Sequence, residues 1–133
     1  MPATKYDFNI EQGSSFRLSL VYKDADGNPI DLTGWCARVI WTTNDNVTQT
    51  FITTNIDYST YKFSIDAALG KVTLLIPPET SNGFSFDTAK YDLELQSDTD
   101  FYVGAGKDII RLLYGTVTLN KRYSKTNTLL DCP

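Results

Sequence analysis

Ser14-Ser15-Phe16-Arg17-Leu18-Ser19-Leu20-Val21-Tyr22-Lys23 alternates between two chemistries. Phe16, Leu18, Leu20 and Tyr22 fall on one side, and Arg17, Ser19, Val21 and Lys23 on the other. This is the period of a strand with one face buried and the other wet. The same period returns in residues 35–42, where Trp35, Ala37, Val39 and Trp41 oppose Cys36, Arg38 and Ile40. It returns again in residues 91–96, where Tyr91, Leu93 and Leu95 alternate with Asp92, Glu94 and Gln96. Residues 49–54, rich in Thr and β-branched side chains, and residues 71–76 and 109–119 read as further strands, with shorter candidates at 61–65 and 101–103.

Turn chemistry separates these runs: Asp26-Gly27-Asn28-Pro29, Asp45-Asn46, Leu69-Gly70, Ser81-Asn82-Gly83 and Gly104-Ala105-Gly106. Turns every ten residues or so, and about seven to nine strands, predict an all-β, antiparallel β-sandwich or barrel. One short helical turn is expected at residues 78–83, where Pro78 opens and Gly83 closes the segment. With 133 residues and no Ser/Gly-rich linker, the chain is expected to be a single domain.

Hydrophobic residues at 41% and charged residues at 21% exclude a disordered chain, and no run of 18 apolar residues marks a membrane span. The absence of histidine removes imidazole triads, proton shuttles and most zinc or copper sites. Twelve basic against sixteen acidic residues, net −4, is the wrong sign for a phosphate-binding surface, so no nucleic acid partner is expected. Cys36 and Cys132 form no clamp or disulfide framework and are expected to be free thiols in a reducing compartment. Residues 1–9 contain no apolar run, so no secretion signal is expected, and Asn46-Val47-Thr48 carries no glycosylation meaning without one.

Three motifs suggest chemistry and then fail. Asp24, Asp26, Asn28 and Asp31 begin like a calcium loop, but Pro29 stands where the sixth-position Gly belongs and Trp35 where the bidentate Glu belongs. A tight turn explains them better. Gly104-Ala105-Gly106-Lys107 lacks the frame and following Ser or Thr of a phosphate loop. Asp92 and Glu94 lie on the wet side of a strand, where paired acids are solvated surface. No catalytic, metal or cofactor site is therefore expected. The aromatics, 13% of the chain, mostly occupy inward strand positions, while Tyr58, Tyr61, Phe84, Phe86, Phe101 and Tyr102 are candidates for an exposed contact patch.

Tyr6-Asp7-Phe8-Asn9-Ile10-Glu11-Gln12-Gly13, Asp24-Ala25-Asp26-Gly27-Asn28-Pro29-Ile30-Asp31-Leu32-Thr33-Gly34-Trp35, Gly70-Lys71-Val72-Thr73-Leu74-Leu75-Ile76-Pro77 and Arg111-Leu112-Leu113-Tyr114-Gly115-Thr116-Val117-Thr118-Leu119 follow one another in the chain. Together they resemble small virion structural proteins of tailed bacteriophages, in particular the N-terminal domain of phage baseplate upper proteins. The resemblance implies an immunoglobulin-like sandwich, a chain made in the host cytoplasm and located in the virion, and a homo-oligomer in the particle. Its implied partners are other virion proteins: tail, baseplate, fibre or capsid subunits. Residues 42–66 and 121–133 depart from the family pattern. A head decoration protein, or a carbohydrate-binding module using exposed aromatics, are the alternative roles.

Short arms at 1–12 and 121–133 are expected to dock on neighbouring subunits, adding a strand to a sheet edge or inserting apolar anchors. The expected interface residues are Tyr6, Phe8, Ile10, Phe84, Phe86, Phe101, Tyr102, Leu129 and Leu130. No membrane partner is expected.

Overall fold

The computed structural model describes residues 3–102, 106–124, 130 and 132, with the backbone alone at 98–102 and 106. Nine strands are present among them: β1 (Thr4–Lys5), β2 (Phe8–Glu11), β3 (Phe16–Val21), β4 (Trp35–Thr43), β5 (Thr48–Ile52), β6 (Lys62–Asp66), β7 (Lys71–Ile76), β8 (Thr88–Tyr102) and β9 (Gly106–Asn120). A short helix, α1 (Pro78–Asn82), lies between β7 and β8. One sheet runs β1-β9-β8-β4-β5 with β2 also on β9, and the other runs β3-β7-β6. The protein is an all-β sandwich.

The alternation seen in the sequence is the alternation of burial. In β4, Ala37, Val39, Trp41 and Thr43 are buried and the residues between them are not. In β7 and β8 the buried positions are Val72, Leu74 and Ile76, and Tyr91, Leu93 and Leu95. These side chains meet those of β3, β6 and β9 in one cluster between the sheets, where burying a large apolar side chain contributes about 1.5–3 kcal/mol. Trp41 is fully buried there, edge-on to Phe51 at 4.8 Å between ring centroids. Its indole Nε1 is buried without a hydrogen-bond partner.

The turns form where their residues permit. Asn46 takes a left-handed φ of 64° in the β4–β5 hairpin, a conformation Asn tolerates better than most residues. Asp24 Oδ1 accepts from the backbone N–H of Asp26 at 2.9 Å and of Asn28 at 3.0 Å, so this carboxylate caps a loop. The loop is pinned further by the Ile30 N–H, which donates to the Tyr22 carbonyl at 2.9 Å. Pro78 begins α1 as expected, and Gly83 closes it with its N–H on the Ser81 and Thr80 carbonyls.

Three expectations are corrected. Residues 101–103 do not form a strand of their own, because β8 continues unbroken to Tyr102; Val103 lies outside the described residues. The sandwich is not purely antiparallel, since β1 and β2 pair parallel with β9, Thr4 opposite Leu113 and Phe8 opposite Val117. Residues 4–11 are thus no free arm. Phe8 and Ile10 point inward and are buried, with Phe8 stacked on Phe16 at 5.0 Å and edge-on to Tyr91 at 4.9 Å. With only two inward side chains, the segment is too short for its period to stand out from a polar arm.

Candidate functional site

No cleft gathers reactive side chains among the described residues; what the protein offers a partner is its two outer faces, the open side of the sandwich and the chain ends.

The outer face of the larger sheet carries charges in cross-strand rows. Arg38, Glu94 and Arg111 stand in register on β4, β8 and β9. Arg38 Nε donates to Glu94 Oε1 at 2.8 Å, Arg111 Nη1 to Asp92 Oδ1 at 3.2 Å, and Lys90 Nζ to Thr116 Oγ1 at 2.9 Å. The Arg111 guanidinium also covers the Tyr114 ring at 4.9 Å. Exposed ion pairs of this kind contribute about 0–1 kcal/mol each. They make this face polar.

The outer face of the smaller sheet is built from small hydroxyls between charged margins. Ser19, Thr73 and Ser64 form one row on β3, β7 and β6, and Arg17, Leu75 and Lys62 the next. Ser19 Oγ and Thr73 Oγ1 are 3.3 Å apart, and the Lys62 ammonium sits over the exposed Tyr58 ring at 5.2 Å.

The two sides of the sandwich differ. On the β5–β6 side the chain crosses between sheets through residues 53–61, the Tyr61 hydroxyl accepts the Ile52 N–H at 3.2 Å, and the Thr80 hydroxyl donates to the Thr60 carbonyl at 2.6 Å. On the other side, a cavity of about 110 Å³ lies between β3 and β9; Thr4 of β1 and Arg111 line it together with apolar residues that include Leu20, Val21, Ile110 and Leu112.

The N-terminal edge is held by polar contacts at the break between β1 and β2. The Tyr6 N–H donates to the Tyr114 carbonyl at 2.8 Å, Asp7 Oδ1 accepts the Thr116 N–H at 2.8 Å, and the Tyr91 hydroxyl donates to the Tyr6 carbonyl. Burial pushes the Tyr91 phenol well above its ordinary range, with smaller contributions from Tyr6, Asp7 and Asp92, so it remains the donor this contact requires. Ser81, fully buried in α1, accepts the Gly13 N–H at 3.0 Å and faces the Ser14 carbonyl at 2.8 Å, tying α1 to the β2–β3 turn.

The expected interface residues are dispersed. Phe8 and Ile10 belong to the core. Phe84 and Phe86 are also buried, each 5.7 Å from Trp41 between ring centroids, so they close the end of the core and offer no exposed patch. They alternate with Ser85 and Asp87, but over two apolar positions between α1 and β8, too few for the period to announce which way the rings point. Tyr6 is 48% exposed and Leu130 87% exposed. The side chains of Phe101 and Tyr102 lie outside the described residues, as does Leu129. Tyr58 is exposed, whereas Tyr61 is half-buried with its ring edge-on to Phe51 at 4.9 Å. Cys36, half-buried, and Cys132, exposed, are unpaired. The β3 edge is not among the surfaces the sequence points to, because whether a strand stands at an edge depends on where β1 and β2 pair.

No known family model matches the chain, and comparison with curated proteins gives no match.

Proposed function

We propose that this chain is a non-enzymatic structural component of a bacteriophage virion, a connector at the tail, baseplate or fibre attachment that works through protein–protein contacts. The resemblance of residues 6–13, 24–35, 70–77 and 111–119 to small phage structural proteins is the observation that carries this reading. In it the sandwich is an immunoglobulin-like module. Supporting this is the order β9-β8-β4-β5 in one sheet and β3-β7-β6 in the other. A variable-type immunoglobulin domain arranges its G-F-C-C′ and B-E-D strands in the same sequence. A buried tryptophan, Trp41, on β4 in the place of strand C adds to that support.

The partners in this reading are other virion subunits and further copies of the chain, with no nucleic acid and no membrane. Cryo-electron microscopy of intact particles without imposed symmetry tests it. Rings of three or six copies at the tail or baseplate are the expected result. Density spread over the head lattice would make the chain a decoration protein, and absence from the particle would overturn the virion reading.

A further inference from the structure

We infer that the outer edge of β3 is a self-pairing interface: two copies join through antiparallel β3 strands about a two-fold axis at Ser19, merging their three-stranded sheets into one of six. The inference goes beyond the virion reading and stands independently of it.

The ladder pattern identifies the free groups. The Tyr22 N–H donates to the Gly70 carbonyl at 2.8 Å, and Tyr22 opposes Gly70 in the same register that pairs Leu20 with Val72 and Leu18 with Leu74. Hydrogen-bonded pairs alternate along an antiparallel ladder. Leu18 and Leu20 therefore turn their N–H and C=O groups toward β7, and Arg17, Ser19 and Val21 turn theirs away from it. No described group bonds to them. In a constant-type immunoglobulin sandwich the first strand covers this edge, but here β1 and β2 have crossed to β9 in the other sheet. The edge carries no proline, no bulge and no inward charge, three of the devices that discourage pairing, and its one charged residue is the outward Arg17.

A second copy fits it for three reasons. About Ser19, the sequence Arg17-Leu18-Ser19-Leu20-Val21 is self-complementary. Arg17 then opposes Val21, so no like charges face one another, and Leu18 opposes Leu20, the latter at the mouth of the cavity that Ile110 and Leu112 also line. All outward groups of the three residues find partners, about six hydrogen bonds by the antiparallel pattern. The hydroxyl row Ser64-Thr73-Ser19 continues into its symmetry mate, doubling a kind of cross-strand pairing that stabilises sheets. The β5 edge fits less well, because the Ile52 N–H is already taken by Tyr61.

Sedimentation equilibrium of the purified full chain, with Ser19→Pro and Ser19→Cys variants, tests the inference. The Ser19 backbone does not bond to β7, so Ser19→Pro removes an outward N–H from each copy, together with the Ser19–Thr73 hydroxyl contact, and leaves the backbone β3–β7 ladder intact; unchanged far-UV circular dichroism checks this. The expected result is a dimer whose dissociation constant rises about ten-fold or more in Ser19→Pro. With Cys36 and Cys132 changed to Ala, Ser19→Cys is expected to form a covalent dimer on mild oxidation, since hydrogen-bonded partners stand about 5.5 Å apart at Cα, within disulfide reach. A Thr50→Cys control on the β5 edge is expected not to. A monomer up to millimolar concentration without Ser19→Cys crosslinking overturns the inference. So does a dimer indifferent to Ser19→Pro, or one abolished by deleting residues 125–133, which would assign the edge to the chain's own C-terminal segment.

Discussion

Gly115→Ala separates a docked N-terminal strand from a free arm by the sign of its effect. Gly115 lies within β9 and is not among the glycines with positive φ. If nothing covered it, alanine would stabilise by about 0.4–1 kcal/mol, through a less flexible unfolded chain. A Cβ at that position, however, falls within contact distance of the Tyr6 carbonyl oxygen, 2.8 Å from its carbonyl carbon and 2.7 Å from Asp7 Oδ1. The backbone between β1 and β2 must move. That motion strains the contacts of Tyr6 with Tyr114, Asp7 with Thr116, and Tyr91 with Tyr6. Each such bond contributes about 0.5–1.5 kcal/mol, and overpacking costs about 1–3 kcal/mol. A destabilisation of about 2–4 kcal/mol is expected, rising further if β2 detaches and exposes Phe8 and Ile10 at about 1.5–3 kcal/mol each. Urea denaturation measures the free energy, and a melting temperature lower by about 6–15 °C accompanies it. Faster amide exchange at residues 4–11 and 113–120 locates the damage. Unchanged or raised stability would refute the docking of the N-terminal strands over Gly115.

Other outcomes follow from single contacts. Ser81→Ala leaves the Gly13 N–H and Ser14 carbonyl without their buried partner; a loss of about 1–2 kcal/mol in chemical denaturation is expected, because both backbone groups lie near enough to solvent to be partly rehydrated. The raised Tyr91 phenol contributes stability that is complete below the ordinary tyrosine value of 10.0 and is lost as pH rises above it. Tyr91→Phe is therefore expected to flatten the alkaline decline in melting temperature while costing about 0.5–1.5 kcal/mol at neutral pH. Trp41→Phe removes area but also an unpartnered N–H; its destabilisation is expected to fall well below that of Trp41→Ala, about 3–5 kcal/mol, in parallel urea titrations.

Alternation along residues 14–23, 35–42 and 91–96 was enough to specify strands, their inward side chains and therefore an all-β sandwich, because the period of two is a local property of extended backbone. Turn residues were equally legible: Asp24, Asn46, Gly70 and Pro78 act on their immediate neighbours. Tertiary structure alone decided which surfaces exist. The fate of Phe8 and Ile10 depended on a parallel pairing with β9, more than a hundred residues away, and the burial of Phe84 and Phe86 on a tryptophan from another strand. That no other described strand pairs with the outer edge of β3 likewise follows from where β1 and β2 go, not from β3 itself. Strand identity is set by neighbours in the chain, whereas exposure is set by partners in space, and a short edge strand or a short connecting segment carries too few residues to announce its partner.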